Sequence, residues 1–281
     1  MRNTLLATAI GLCLIACVSG VMAQEGQPWR SPGTHVGQEI VGPDGGKMVW
    51  VPAGEFNMGA SQGDIDYAIG RLGAARGNAG SNSGPMHRVR LSKGFWIGKF
   101  EVTNALYNAC SKAMGVETHA PKQHGPEHPA QYISWGDANA YCSHFGLVLP
   151  TEAQWEYAAR GPESRWFPWG NDWDSTRCAY ERRRGPGGET WPVGSFPTGA
   201  SWCGALDMVG NVDEWCQDWF DRLYYQHSPK DDPTGPTSGE DRVARGGDAG
   251  DGAWVCRGAQ RGWAFPEVRN ASIGFRVCIT P

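Results

Sequence analysis

The chain has 281 residues, of which 40 are glycine, 19 are proline and 14 are tryptophan. Glycine and proline interrupt regular elements, so this many of them exclude a helical bundle or a coiled coil. A hydrophobic fraction of 40% supplies enough apolar side chains for a packed core and excludes a wholly disordered chain. The net charge of −4 gives no basic field for a nucleic-acid backbone. Composition therefore predicts a loop-rich α+β globule that does not bind nucleic acid.

Residues 1–23 have the pattern of a signal peptide. Arg2 precedes an apolar stretch over residues 5–16, which is too short to span a bilayer but has the length of a signal-peptide core. Small residues favour cleavage after Ala23, whereas the residues ending at Cys17 resemble a lipobox whose cysteine would be acylated. No later segment reaches the roughly 18 uninterrupted apolar residues of a spanning helix. We therefore expect an exported protein, periplasmic or secreted, with a lipid anchor at Cys17 as the alternative to cleavage.

The rest of the chain is interpreted as one domain over residues 47–281, preceded by an extended lead-in over residues 24–46 that is rich in glycine, proline and polar side chains. Residues 48–59 place two apolar runs around a Pro-Ala-Gly turn, which predicts a hairpin. Residues 60–84 are predicted to form a long polar loop. Further strands are expected over residues 87–91, 95–102, 242–245 and 273–279.

Three helices have clear start signals. Each begins after a Ser or Thr whose side-chain oxygen can accept a backbone N–H of the first turn. In the second and third helices an acid or amide three positions later completes a capping box, and a glycine ends the helix. The predicted capping residues are Thr103, Ser134 and Thr151.

Seven cysteines follow the signal peptide: Cys110, Cys142, Cys178, Cys203, Cys216, Cys256 and Cys278. In an oxidising compartment most of them should pair as structural disulfides. The odd number leaves at least one free or intermolecular, and a lone thiol is a candidate nucleophile or metal ligand. No two of them form a CxxC motif, which disfavours a zinc ribbon or a thioredoxin-like site.

Several segments together resemble the formylglycine-generating enzyme (sulfatase-modifying factor) family. They follow the family's order from about residue 48 to residue 278. The matching segments are VPAGEFNMG (51–59), EVTN (101–104), ISWGDA (133–138), LPTEAQWEY (149–157), FPWG (167–170), DMVGNVDEW (207–215), RGG (245–247) and IGFR (273–276). The resemblance implies an α+β, C-type-lectin-like fold that is poor in regular secondary structure.

The resemblance also implies a structural calcium site in the loop over residues 207–214. At the matching positions of the family, calcium is held by the side chain at Asp207, the backbone carbonyls of Gly210 and Val212, and the carboxylate of Glu214. Calcium prefers several hard oxygen ligands, which these four positions can supply. The alternative is a tight turn in which the two acids accept backbone amides.

The reaction centre departs from the family pattern. Members that make formylglycine are thought to use two cysteines after the Arg-Gly-Gly turn, which bind copper(I) and activate oxygen to oxidise a cysteine of a sulfatase peptide. Counted without gaps, Asp251 takes the first cysteine position, Cys256 falls at the second, and Asp248 replaces a serine. Soft thiolates are the ligands that copper(I) selects, so at most one suitable ligand remains at these positions. A disulfide is the other interpretation of Cys256.

An acid also replaces the tryptophan that the family usually has at Asp213. The resemblance thus places Asp213, Asp248 and Asp251 at one cleft, as candidate catalytic residues. Three carboxylates that face one another cannot all stay ionised, so they favour a hard metal ion, a cationic substrate or a shared proton for acid/base chemistry. Solvated loop acids are the alternative.

Two further groups are candidates for ligand contacts. Trp254 and Trp263 lie near the altered turn and are the predicted substrate-binding aromatics, although tryptophan is more often a core residue. His119, His124 and His128, with Glu127, could bind zinc, iron or copper, but their spacing is loose and surface histidines are the simpler interpretation.

Three functions remain open. The first is an exported oxidoreductase-like enzyme with a modified centre, similar to the periplasmic relatives implicated in maturing the chromophore of pyoverdine siderophores, acting on a peptide or peptide-derived substrate. The second is a non-catalytic binding module stabilised by calcium. The third is sulfatase activation by formylglycine formation. Fold alone does not choose among them.

Overall fold

The computed structural model describes residues 27–75, 82–115, 125–185 and 190–281. The ordered elements are three sheets and four helices joined by long irregular segments, as the predicted α+β class requires. The first sheet is antiparallel, with the order β1-β2-β5-β10. Its strands are β1 (Glu39–Val41), β2 (Lys47–Val51), β5 (Phe95–Gly98) and β10 (Cys278–Ile279).

The two other sheets complete the framework. A two-stranded antiparallel sheet joins β3 and β4. A four-stranded sheet has the order β8-β7-β6-β9, in which β6 and β9 are parallel and the other pairs are antiparallel. The strands are β3 (Gly54–Met58), β4 (His87–Leu91), β6 (Asp213–Trp219), β7 (Arg242–Arg245), β8 (Arg261–Ala264) and β9 (Ile273–Gly274).

The three predicted helices are confirmed with their caps. Thr103, Ser134 and Thr151 each accept a backbone N–H of the first turn, and the last two form complete capping boxes. The helices are α2 (Asn104–Met114), α3 (Trp135–Phe145) and α4 (Glu152–Arg160), each followed by a glycine.

A fourth helix, α1 (Gln62–Arg71), occupies part of the predicted polar loop over residues 60–84. That prediction is wrong because the glycine-rich end of the segment masked a capping box at its start, formed by Ser61 and Asp64. Ala68 is buried, and Ile65 and Ile69 pack around it at helical spacing.

The predicted hairpin over residues 48–59 is also wrong. Both strands exist, but β2 pairs with β1 and β5 whereas β3 pairs with β4. The Pro-Ala-Gly turn therefore carries the chain from one sheet to another, and the local pattern of two apolar runs could not reveal their partners.

The lead-in over residues 24–46 is only partly an extended segment outside the domain. Its β1 pairs with β2, so the first sheet begins before the predicted boundary at residue 47. Strands at residues 87–91 and 242–245 are confirmed, and the one predicted over 95–102 ends at Gly98. The strand predicted over 273–279 is divided into β9 and β10, which belong to different sheets.

Helix α4 lies at the centre of the core. It contacts β3, β4, β6 and β7, and its Trp155 is fully buried. On the same helix Glu152 and Glu156 are buried too. They form ion pairs with Arg245 of β7 and Arg261 of β8. These ion pairs hold the third sheet, and with it the turn after β7, against α4.

All seven cysteines of the described residues are buried free thiols in this structure. The expected structural disulfides are therefore not formed in it. Within the described residues, no helix is long and apolar enough to cross a membrane.

Candidate functional site

The three aspartates singled out from the sequence lie together and are called the acid cluster here. Each offers a carboxylate oxygen, and these atoms lie within 4.8 Å of one another. Asp213 begins β6, and Asp248 and Asp251 lie in the turn that follows β7. Because Glu214 of β6 is paired with Arg245 of β7, the start of one strand meets the end of the other at this point.

Backbone amides shape the turn that carries the acids. The Gly247 N–H donates to Asp213 Oδ1 at 2.9 Å, and the Asp248 N–H donates to Asp251 Oδ2 at 3.0 Å. Gly246 and Gly247 have φ of +108° and +75°, which side chains with a Cβ rarely adopt. The two glycines of the Arg-Gly-Gly sequence are thus required, because they allow the backbone conformation that brings the amides to the acids.

Burial and mutual repulsion weaken the acidity of the cluster. Burial, with a further contribution from the charge of Asp251, raises the pKa of Asp213 to about 7. Burial raises the pKa of Asp251 as well, while the hydrogen bond from the Asp248 N–H opposes this rise. A pKa near neutrality is the value that suits a general acid or base.

A cleft of about 320 Å³ opens above Asp213 and Asp251. Trp254 and Trp263 line it, so both predicted aromatics share a cleft with two of the acids. Trp263 is 46% exposed and stacks on Phe220 with ring centroids 4.6 Å apart, which leaves its outer part free for a planar ligand.

The glycine at position 262 leaves space beside Asp213 in this cleft. A Cβ added to Gly262 of β8 would lie 3.7 Å from Asp213 Oδ1. A larger residue there would stand between a ligand and the Asp213 carboxylate.

A second cleft, of about 330 Å³, lies on the other side of the turn after β7. Asp248 and Asp251 line it together with polar side chains that include Arg184, Thr190 and Gln131. Asp251 lines both clefts, so the acid cluster is approached from two sides.

In the predicted calcium loop, one of the expected ligands, Glu214, is already paired with an arginine. Both carboxylate oxygens of Glu214 accept from the buried Arg276, at 2.5 and 2.6 Å, and Trp155 Nε1 donates to the same group at 2.8 Å. Asp207 accepts the Gly194 N–H at 2.6 Å. Glu214 therefore already has a cationic partner, and a calcium ion would have to share it.

A carboxylate outside the predicted set lies beside this loop. Glu101 is buried, its Oε1 accepts from Asn211 at 2.9 Å, and its Oε2 has no hydrogen-bond partner. Burial and the nearby Asp207 raise the pKa of Glu101 well above its usual value, and burial raises that of Asp207 to about 6. A free buried carboxylate oxygen next to a second acid suits a hard cation, so this position fits calcium with Glu101 as an additional ligand.

The histidine group is described only in part. His119 and His124 lie outside the described residues, whereas His128 is held by Thr190, with 3.0 Å between Nδ1 and Oγ1. Glu127 is exposed.

A second cysteine, from outside the family's cysteine positions, lies near the altered centre. Cys256 is buried beside the acid cluster and packs in one apolar cluster with Cys178. Neither thiol lines the cleft above Asp213. Cys178 lies far upstream in the sequence, so spacing along the chain carried no signal of this contact. Glu101 lies within the EVTN segment, but nothing in that segment marks it as a ligand.

Comparisons with known proteins show the family of the chain. The family of sulfatase-modifying factor enzyme 1-like domains matches residues 35–281. A formylglycine-generating enzyme of Streptomyces coelicolor is 31% identical over 93% of this chain and 95% of its own length. A hercynine oxygenase of Mycolicibacterium thermoresistibile is 35% identical over 53% of this chain and 36% of its own length.

A solved structure shows the same architecture. PvdO from Pseudomonas aeruginosa superposes with a TM-score of 0.73 and 27% identity, over 89% of this chain and 100% of that one. The fold is therefore the C-type-lectin-like fold of the formylglycine-generating enzymes. The chain belongs to the sulfatase-modifying factor (formylglycine-generating enzyme) family.

Proposed function

We propose that this protein is an exported, oxidase-type enzyme of its family that acts on a peptide-derived substrate in the maturation of a pyoverdine-type siderophore chromophore. The observation that carries the proposal is the acid cluster of Asp213, Asp248 and Asp251, two of which, Asp213 and Asp251, line one cleft with Trp254 and Trp263. The similarity to PvdO supports the choice of substrate class.

The chain's own residues supply binding and proton transfer. The cleft has a volume in the range of small-molecule sites, and Trp254 and Trp263 offer faces for an aromatic ring. Oxidation of a ring to a more conjugated one removes protons as well as electrons, and in an oxidase-type reaction dioxygen is the co-substrate that accepts the electrons. Asp213, with its pKa near neutrality, is placed to accept such a proton. The negative charge of Asp251 contributes to this raised pKa.

The same three carboxylates are also a set of hard oxygen donors. Such donors suit magnesium, calcium or manganese rather than copper(I). A hard ion bound there would neutralise the cluster and polarise an oxygen of the substrate. Elemental analysis of the purified protein, before and after dialysis against a chelator, distinguishes a metal-bound cluster from one that shares a proton.

The test is turnover of a dihydro-chromophore siderophore precursor, followed by absorbance and mass spectrometry. We expect Asp213→Asn and Asp251→Asn to lower kcat by about 100-fold or more, the usual contribution of a general acid or base. The control is Asp172→Asn, an exposed aspartate of the same chain, which should retain activity. A protein that binds the precursor but converts none of it would instead be a binding module, and the proposal would be wrong.

One observation favours a second candidate, sulfatase activation. Cys178 and Cys256 form a buried thiol pair, and two thiols are donors that copper(I) selects. The pair lies outside the cleft lining, which disfavours direct contact with a substrate thiol. Coexpression with a sulfatase-type cysteine peptide under copper supply tests it: an aldehyde detected by mass spectrometry supports this candidate, and its absence from the folded protein excludes it.

A further inference from the structure

The thiol pair under the acid cluster lies in an apolar environment. Cys178 and Cys256 are 2% and 0% exposed and belong to one cluster with Tyr180 and Val209. Trp169 and Trp173 pack against this cluster from outside. The two cysteine side chains are therefore held in one packed cluster rather than at a flexible surface.

The backbones on either side of the pair are fastened to each other as well. The Glu181 N–H donates to Asp251 O at 2.9 Å, which ties the segment after Cys178 to the turn of the acid cluster. The Asn211 N–H donates to Ala179 O at 3.3 Å. Because the backbone beside both cysteines is fixed and their side chains pack in one cluster, the geometry favours a bond between these two sulfurs.

Other cysteines have oxygen partners instead. The thiol of Cys203 lies 3.3 Å from Ser201 Oγ and 3.5 Å from Ala158 O, and that of Cys216 lies 3.9 Å from Glu214 O. These two residues are buried like the pair, and they serve as its natural comparison.

We propose that Cys178 and Cys256 are an oxidisable pair that closes to a disulfide and fixes the turn carrying Asp248 and Asp251 to the segment after Cys178. The reaction is thiol–disulfide exchange with a low-molecular-weight disulfide such as oxidised glutathione. The two cysteines lose two protons and two electrons as their S–S bond forms, and the glutathione disulfide is reduced to two thiols.

The position of the pair determines how the bond forms and persists. The neighbouring thiol and burial keep the pKa of Cys256 well above its usual value, and both cysteines are buried away from an external disulfide in the folded protein. Oxidation is therefore fastest during folding or in an opened state. Once formed, the disulfide is shielded from reductants by the same apolar cover.

Peptide mapping tests the proposal without any substrate. The reduced protein is refolded in a glutathione redox buffer, the free thiols are blocked at acid pH, and the chain is digested with trypsin without reduction. Trypsin releases CAYER (178–182) and GGDAGDGAWVCR (246–257). We expect these two peptides to be joined, with a mass two hydrogens below their sum, while Cys203 and Cys216 carry the blocking group.

Two further results decide the matter. Oxidation should raise the unfolding temperature of the natural chain and of Cys203→Ser, and leave that of Cys178→Ser and Cys256→Ser unchanged. The proposal would be overturned if both Cys178 and Cys256 carried the blocking group after oxidative refolding. It would also be overturned if either of them were joined to another cysteine. The outcome does not depend on the proposed siderophore activity, so the two can fail separately.

Discussion

At the scale of single residues, burial decides the protonation of several carboxyl groups. Asp218 is 3% exposed, and its Oδ2 accepts the Glu152 N–H at 2.8 Å at the start of α4. Burial and the charge of Glu152 raise its pKa to about 8. It therefore keeps a proton that an unfolded chain would release, although it has no role in the cleft.

This shift has a consequence for stability. The unfolded state loses the Asp218 proton near its usual pKa, whereas the folded state holds it until about pH 8, so stability falls as the pH rises through this window. Asp218→Asn cannot ionise, so its stability should not fall in this way. As the pH rises from 6 to 8, its free energy of unfolding should increase by about 2 kcal/mol relative to that of the natural chain. Urea unfolding at several pH values measures this. Parallel pH profiles for the two proteins would show that Asp218 is ionised in the folded state.

Residue-scale features of the site were predictable only where a motif contained them. Asp213, Asp248 and Asp251 stand out because they replace residues of a recognisable pattern. Glu101 has no such mark, since its importance comes from an unpaired buried oxygen that only the fold creates. Cys178 is identified by its contact with Cys256, which no local pattern encodes.

At the scale of elements, helix starts were the most reliable sequence signal. A capping oxygen satisfies an orphan backbone amide within three residues, so its effect is local and independent of the fold. Strand partners were less predictable because they depend on distant chain segments. The strands β2 and β3 show this, since they are adjacent in sequence but lie in different sheets.

The cap of α3 offers a direct measure of that local contribution. Ser134 is buried, and its side chain accepts the Asp137 N–H at 3.1 Å. Ser134→Ala should lower the free energy of unfolding by about 1 kcal/mol because the amide loses its partner. Ser143→Ala, at an exposed position of the same helix, is the matched control and should change stability little. Equal effects of the two substitutions would show that the cap contributes nothing.

At the scale of the whole molecule, buried ion pairs connect the sheets. Arg245 bridges Glu156 at 2.6 Å and Glu152 at 3.4 Å, while Arg261 pairs with Glu152 at 2.7 Å. Arg276 binds Glu214 and so links the end of the chain to β6. Buried charges are tolerated only in such pairs, and the composition of the chain gave no hint that so many arginines would lie inside.

Calcium is the proposed addition to this network. A ligand that binds only the folded state at a hundredfold excess over its Kd stabilises it by about 2.7 kcal/mol. Calcium should therefore raise the unfolding temperature of the chelator-treated protein, and Asp207→Asn or Glu101→Gln should weaken this response. Asp172→Asn should retain it. If calcium leaves the natural chain unchanged, the loop over residues 207–214 is a turn held by Arg276 and backbone amides alone.

The central claim is that carboxylates rather than thiols form the reaction centre on this scaffold. The most direct measurement compares Asp251→Asn with Cys256→Ser in one turnover assay with the dihydro-chromophore precursor, after both variants are shown to fold. We predict that Asp251→Asn loses activity by about 100-fold or more and that Cys256→Ser keeps most of it. Loss of turnover in Cys256→Ser with full activity in Asp251→Asn would contradict the claim.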